Sequence, residues 1–236
     1  VLTRHALLQE AYADPEHFLS ERADLAAMGI NLKLNPLEFD PPEHHKYRRL
    51  LNPLFSPRAV LAFDEPVKQV CHDLIAEFAD RGSCEFVSEF AEKFPSYIFL
   101  DLMGMPHDML PDFLEWERQL LRAEDPREKV GALKSVIEYL ENFLDGQRAN
   151  PTTELMKNIV TAQYEGERPL TKDEMMGMIT LLYIGGLDTV YSSLGWIFRH
   201  LAADQALQER LRANPEQIPW AMEEFLRVYP VAQPHR

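Results

Sequence analysis

The stretch from Thr171 to Ala203 constrains the fold more than any other part of the chain. Thr171 and Glu174 stand at the spacing of a reciprocal N-terminal cap, so a helix starts there. At ~1.5 Å per residue that helix runs about 50 Å, the width of a domain. Apolar residues occupy nearly every face between Met175 and Phe198, which predicts burial all round. In the middle sit Gly185, Gly186, Leu187, Asp188 and Thr189. A glycine costs roughly 1 kcal/mol against alanine in a helix interior, and a buried carboxylate costs more unless paired. A hydroxyl can bond a carbonyl one turn back and bend the helix. The segment gives up helical stability for a local opening that holds an acid and an alcohol. A core helix with a glycine packing contact, a transmembrane span and a cofactor site compete for it. Asp188, Ser192 and Ser193 at its centre argue against the span.

The chain has 236 residues, 46% of them hydrophobic, enough for one large core and too many for a disordered chain. Its net charge of −14 argues against nucleic-acid binding. Cys71 and Cys84 have no metal-binding spacing and fit buried thiols in a reducing compartment. No secretory leader is recognisable from Val1 onward. The expectation is a cytoplasmic monomer with no membrane and no nucleic-acid partner.

Residues 3–13 suit a short amphipathic helix closed by Asp14-Pro15. Residues 24–42 carry Gly29, Asn31, Asn35, Pro36, Pro41 and Pro42 and read as a long loop with room for one helical turn. Pro41-Pro42-Glu43 starts the next helix, where His44 and Arg48 share one face. Lys46, Arg48, Arg49 and Arg58 form a basic cluster, which by itself reads as a solvated helix face. Residues 57–80 suit one helix from Pro57, with Gly82 past its end. Glu85-Phe86-Val87 is strand or turn, and residues 88–104 are helical with a kink at Pro95. Residues 107–122 and 126–149 are surface helices of mixed charge, and 152–164 a short helix before a turn over 164–169. After the central helix, Asp204 caps a segment to Ala213, and Pro215 opens a last helix with Glu224 and Arg227 one turn apart.

Three of these motifs, in this order, resemble those of the cytochrome P-450 superfamily of heme-thiolate monooxygenases. Ile-Gly-Gly-Leu-Asp-Thr-Val is similar to that family's distal helix. Asp-Pro-Pro-Glu-His-x-x-x-Arg from Asp40 resembles its propionate-binding helix, and Glu-Glu-x-Leu-Arg before Pro-Val its Glu-x-x-Arg helix. The texture is closest to soluble bacterial members such as the camphor hydroxylase. The resemblance implies a mainly α fold with little β, built round a long central buried helix. Residues 1–236 would form one incomplete monooxygenase domain, without the family's N-terminal strands and C-terminal cysteine region.

The resemblance also implies a cofactor, heme b (iron protoporphyrin IX), with His44, Arg48 and Arg236 at its propionates and Gly185 and Gly186 against it. Thr189 would hold dioxygen and a water by hydrogen bonds, and Asp188 would relay protons. Leu181, Ile184, Val231 and Ala232 would line the pocket of a small hydrophobic substrate that is hydroxylated with O2. Residues 30–39 would roof it, with Asn31 and Asn35 as polar contacts. Glu224 and Arg227 would be a buried structural pair behind the heme. Lys46 and Arg49 would face solvent and attract a ferredoxin-type iron–sulfur electron donor. The metal-ligating cysteine motif of the family, Phe-x-x-Gly-x-x-x-Cys-x-Gly, is not found, and neither Cys71 nor Cys84 has its glycines. These 236 residues alone are therefore expected to be inactive. The alternative is a non-catalytic family member or a helical carrier of apolar ligands.

Overall fold

Prolines and caps set most of the helix ends. A computed structural model describes residues 2–20 and 24–232, without the side chains of Asp24 and Ala27. Helix α1 spans His5–Ala13, and the loop that follows contains one short helix, α2 (Asp24–Ala27). Helix α3 (Glu43–Leu51) begins directly after Pro42. The single helix expected over 57–80 is instead α4 (Pro57–Leu61) and α5 (Asp64–Ala76). Pro66 explains the division, because its ring clashes with helical backbone one turn earlier and it has no N–H to donate there. Residues 85–87 are neither strand nor turn but lead into a π-helical turn, Val87–Ala91. Helix α6 (Lys93–Met103) follows with Pro95 in its first turn, where the missing N–H costs little, so Pro95 starts a helix and does not kink one.

Helices α7 (Leu110–Arg122) and α8 (Pro126–Ala149) form an antiparallel pair, and α9 (Glu154–Thr161) leads to a hairpin. Strands β1 (Gln163–Tyr164) and β2 (Arg168–Pro169) pair antiparallel, Gln163 opposite Pro169. The central stretch is two helices, α10 (Lys172–Gly186) and α11 (Asp188–Ala203), parted at Leu187 with φ −99° and ψ −74°. Helices α12 (Gln205–Ala213) and α13 (Ile218–Val228) complete the described residues.

The core forms where α10 meets α6, α7 and α8. Met178, Ile179 and Tyr183 of α10 pack with Phe99, Phe113 and Leu140, all close to zero exposure. The Tyr183 ring stands edge-on to Phe113 at 5.4 Å and to Phe99 at 5.8 Å. Burial all round holds from Met175 to Thr180 only. Ile184, Val190, Trp196 and Phe198 are 39–43% exposed, so the second half is buried on one side only, as at Ile197.

Glu174 fastens this core to its surroundings. Its backbone N–H donates to Thr171 Oγ1 at 3.2 Å, and its carboxylate accepts from Thr171 N at 2.7 Å, completing the cap. The same carboxylate receives the Arg168 guanidinium at 2.7 and 2.8 Å and the Tyr47 hydroxyl at 2.8 Å. One side chain thus joins the hairpin, α3 and the start of α10. The loop over 30–39 docks beside it. Asn35 Nδ2 donates to the Glu174 carbonyl at 3.1 Å, and a Cβ on Gly177 would lie 2.1 Å from the Lys33 carbonyl oxygen. Glycine is the residue that admits that approach.

Two outcomes follow from this joint. The Arg168 ion pair, with help from Thr171 and Tyr47, holds the Glu174 carboxyl down at about 2. A depressed carboxylate contributes stability above its unfolded value near 4.5, and loses it as pH falls through the folded value. Glu174→Gln is expected to lower unfolding free energy by about 2–3 kcal/mol at pH 7. The deficit should shrink between pH 4.5 and 2, as read by denaturant titration across that range. Gly177→Ala is expected to cost about 1–3 kcal/mol by overpacking, measured the same way at pH 7.

Candidate functional site

The break at Leu187 is made by hydroxyls that turn back on their own helix. Thr189 Oγ1 donates to the Gly185 carbonyl at 2.7 Å, Ser193 Oγ to the Thr189 carbonyl at 2.7 Å, and Ser192 Oγ to Asp188 Oδ1 at 3.2 Å. Such back-bonding takes up carbonyls of the helical ladder and bends the chain. A Cβ on Gly185 would meet nothing within 4 Å, whereas one on Gly186 would touch Phe99 at 3.6 Å. The opening expected from the sequence is present, and it is widest at Gly185.

Apolar cavities lie on two sides of the break. One, of about 340 Å³, is walled by Phe99 of α6 and by Leu181, Gly185, Gly186 and Val190, with Phe55 at its rim. The other, of about 380 Å³, is walled by Leu34 of the loop, Glu117 of α7, Leu133 of α8, and Tyr183, Ile184 and Asp188. The structure therefore divides the expected substrate wall, with Ile184 and Asp188 at one cavity and Leu181 and the glycines at the other. Thr189 lines neither. Val231 and Ala232 follow α13 and also line neither.

Glu117 is the group that the sequence reading missed. It is 8% exposed, and its Oε1 has no hydrogen-bond partner among the described residues. Burial, reinforced by the nearby charges of Asp188 and Glu92, pushes its carboxyl up to about 7, against the pull of Arg122. Arg122 is engaged elsewhere, with Glu92 at 2.7 Å and with the Tyr191 hydroxyl. A signal was available: Leu110, Phe113 and Glu117 occupy the buried stripe of α7, so an acid stands where the period calls for an apolar residue. Tyr183, too, was not singled out in the sequence. The residue is 2% exposed, and its hydroxyl also lacks a partner among the described residues.

The expected cation set is partly rearranged. Arg48 is exposed on α3 and has no ion pair among the described residues, and His44, one turn earlier, is half-buried. Lys46 does not face solvent: it binds Glu43 at 2.6 Å and Glu165 at 3.3 Å and lies over the Tyr164 ring. Arg49 is exposed, 3.9 Å from Glu165. Asn35 is buried and committed to Glu174, so it is not a pocket contact, while Asn31 is exposed. Glu224 and Arg227 do pair, with two bonds of 2.7 Å, but at 60% and 70% side-chain exposure they are a surface pair and not a buried one. Nothing in the described residues covers that face of α13, and exposed pairs of this kind contribute little. Arg236 lies outside the described residues.

For a flat apolar cofactor with an anionic edge, the chain offers the open backbone at Gly185, exposed Ile184 and Val190, and the exposed guanidinium of Arg48, which has no ion pair among the described residues. These residues fit the distal side of a heme. Cys71 is half-buried on α5, where burial raises its thiol, and Cys84 is exposed; neither lines a cavity at the break. Among the described residues no cluster of metal-binding side chains occurs, and no helix is long and apolar enough to cross a membrane.

Comparison with known proteins bears on the family and the fold. The family model described as Cytochrome P450 matches residues 89–221. The chain is similar to "Probable cytochrome P450 127A1" of Sinorhizobium fredii, with 34% identity over 99% of this chain and 56% of that protein. It is 28% identical to a vitamin D(3) 25-hydroxylase of Pseudonocardia autotrophica, over 99% of this chain and 59% of that one. The crystal structure of cytochrome P450 CYP101C1 superposes with a TM-score of 0.81 at 33% identity, covering 96% of this chain and 57% of that one. The chain thus spans somewhat over half the length of these three relatives.

Glu117 supplies a stability test. Its folded carboxyl is raised above the unfolded value near 4.5, so the folded state binds the extra proton and stability falls as pH rises from about 4.5 to about 7. Glu117→Gln is expected to flatten that part of the pH–stability curve. It should also make the protein more stable than the parent by about 1–3 kcal/mol at pH 8, read by denaturant titration at pH 5 and pH 8.

Proposed function

The chain belongs to the cytochrome P450 family, and we propose from its geometry that it forms the central, oxygen-handling part of a heme-dependent monooxygenase. The reaction is insertion of one oxygen atom from O2 into a small hydrophobic substrate, with electrons from a ferredoxin-type iron–sulfur protein. The observation that carries the reading is the opened helix, where Thr189 turns onto Gly185 beside two apolar cavities. When bound, a thiolate-ligated heme supplies the oxygen activation.

The residues of this chain contribute binding, dryness and proton supply. Gly185 leaves space for a diatomic ligand, and Ile184 and Leu181 present apolar surface on either side of the break. The Thr189 hydroxyl donates to Gly185 O and keeps its lone pairs free to accept from a water or a protonated oxygen. Asp188, accepting from Ser192, stands at the wall of the larger cavity, where a carboxylate can take a proton from water and pass it inward. Arg48 suits a carboxylate of the heme edge, because a guanidinium pairs with it through two parallel hydrogen bonds, and His44 adds a donor on the same face.

The basic dock for an acidic electron donor is smaller than the sequence suggests, since Glu43 and Glu165 neutralise Lys46. Arg49 and Arg58 remain exposed, and Arg58 has no ion pair among the described residues. They are the candidate contacts. A helical carrier of apolar ligands is the weaker reading, because it gives no role to an open helix with an acid and an alcohol at the gap.

In the heme-loaded protein, Thr189→Ala is expected to keep consuming reductant while product per electron pair falls several-fold and hydrogen peroxide rises. Unchanged coupling removes Thr189 from proton handling. Reduction by the ferredoxin is expected to slow as salt is raised, because the steering is electrostatic; a salt-insensitive rate argues against the basic dock.

A further inference from the structure

Two of the three buried side-chain polar atoms without partners among the described residues, Glu117 Oε1 and the Tyr183 hydroxyl, belong to residues that line the same cavity. Leaving such an atom unsatisfied costs about 1–3 kcal/mol, and native structures seldom leave two at one place. Both residues are more than nine-tenths buried. The charge of Glu117 helps to keep the Tyr183 hydroxyl protonated, and Asp188 adds a second carboxylate to the wall. Glu38, also on the wall, is committed: its Oε2 accepts from Leu34 N at 2.8 Å and closes the roof loop. Among the described residues no lysine, arginine or histidine lines the cavity, and the Arg122 guanidinium is turned to Glu92. The volume of about 380 Å³ lies within the range of small-molecule sites.

We propose that this cavity takes an apolar substrate bearing an aliphatic amine, whose ammonium group donates to Glu117 Oε1 and the Tyr183 hydroxyl while its hydrocarbon part rests on Leu34, Leu133 and Ile184. The inference deepens the monooxygenase reading and rests on it for the word substrate. An ammonium carries three donors and no acceptor, which matches an orphan carboxylate oxygen, a hydroxyl and a further carboxylate at Asp188. A neutral hydrocarbon leaves both orphan atoms unsatisfied. A carboxylate ligand meets like charge from Glu117 and Asp188, with no cation among the described lining residues to offset it, which costs affinity.

The test is calorimetric binding of three probes of equal length to the full protein: 4-phenylbutylamine, 4-phenylbutan-1-ol and 4-phenylbutanoate. The amine is expected to bind at least tenfold more tightly than the carboxylate, with the alcohol between them. Glu117→Gln, which keeps the side-chain shape, is expected to abolish the amine's advantage, and Tyr183→Phe to weaken amine binding about threefold; far-UV circular dichroism checks that both variants fold. A carboxylate that binds as tightly as the amine overturns the proposal without any variant. An amine advantage that survives Glu117→Gln also overturns it, because the nitrogen is then held elsewhere, on a metal for example. Calorimetry needs no heme, so the two readings fail separately. Amine selectivity in a protein with no thiolate-type band in its reduced carbon monoxide spectrum upholds the cavity's ligand class and removes the monooxygenase. That band without amine selectivity does the reverse.

Discussion

The bonds gathered at Glu174 are the constraint on which the rest of the molecule depends. A helix N-terminus leaves backbone donors without partners, and a reciprocal cap satisfies two of them. Here the capping carboxylate does more, because Arg168 and Tyr47 converge on it from the hairpin and from α3. The roof loop joins at the same level through Asn35 and the bare backbone of Gly177. Four separate pieces of chain therefore share one origin, and the register of α10 against α6 and α8 is set from it. The cavities further along inherit their walls from that register.

What the sequence disclosed and what it withheld divide along physical lines. The cap at Thr171, the gap at Gly185–Asp188 and most helix ends are written in local chemistry, and all of them stand in the structure. Pro66 was equally local and was passed over, which cost the division between α4 and α5. Burial is not local. Glu224 and Arg227 have the spacing of a pair and are paired, yet their exposure depends on what else packs against α13. Lys46 belongs to a basic run in the sequence, but its charge is met by Glu165, more than a hundred residues away.

The candidate site shows the same limit. Asp188, Thr189 and the glycines were legible because a helix with those residues contradicts its own propensity. Glu117 contradicts the apolar stripe of α7 in the same manner, but one acid in a helix of mixed charge is easily taken for surface. Its place beside Asp188 and Tyr183 follows from the packing of α7 against α8 and α10, which no spacing in the chain encodes. Substrate walls were the least legible: residues three apart in sequence, such as Leu181 and Ile184, line different cavities once the helix is built.

The two halves of the broken helix are held at their far ends, and the backbone ladder is interrupted where they meet, at the buried Leu187. Helix α10 is clamped at Glu174. Helix α11 is clamped by the stack of Phe198 on Phe86 at 4.2 Å and by Trp196 on Tyr229, whose hydroxyl meets His200 Nδ1 at 2.7 Å. Such an arrangement behaves as two levers sharing a joint. The 15 residues of α10 make an arm of about 22 Å at ~1.5 Å each. A tilt of about one degree at the clamp then moves the joint by about 0.4 Å. Misplacement of reacting groups by about 1 Å is enough to cost orders of magnitude in rate. Substitutions at Arg168, Tyr47 or Phe86, all remote from the gap, can thus detune the chemistry by leverage alone while leaving every residue at the gap unchanged.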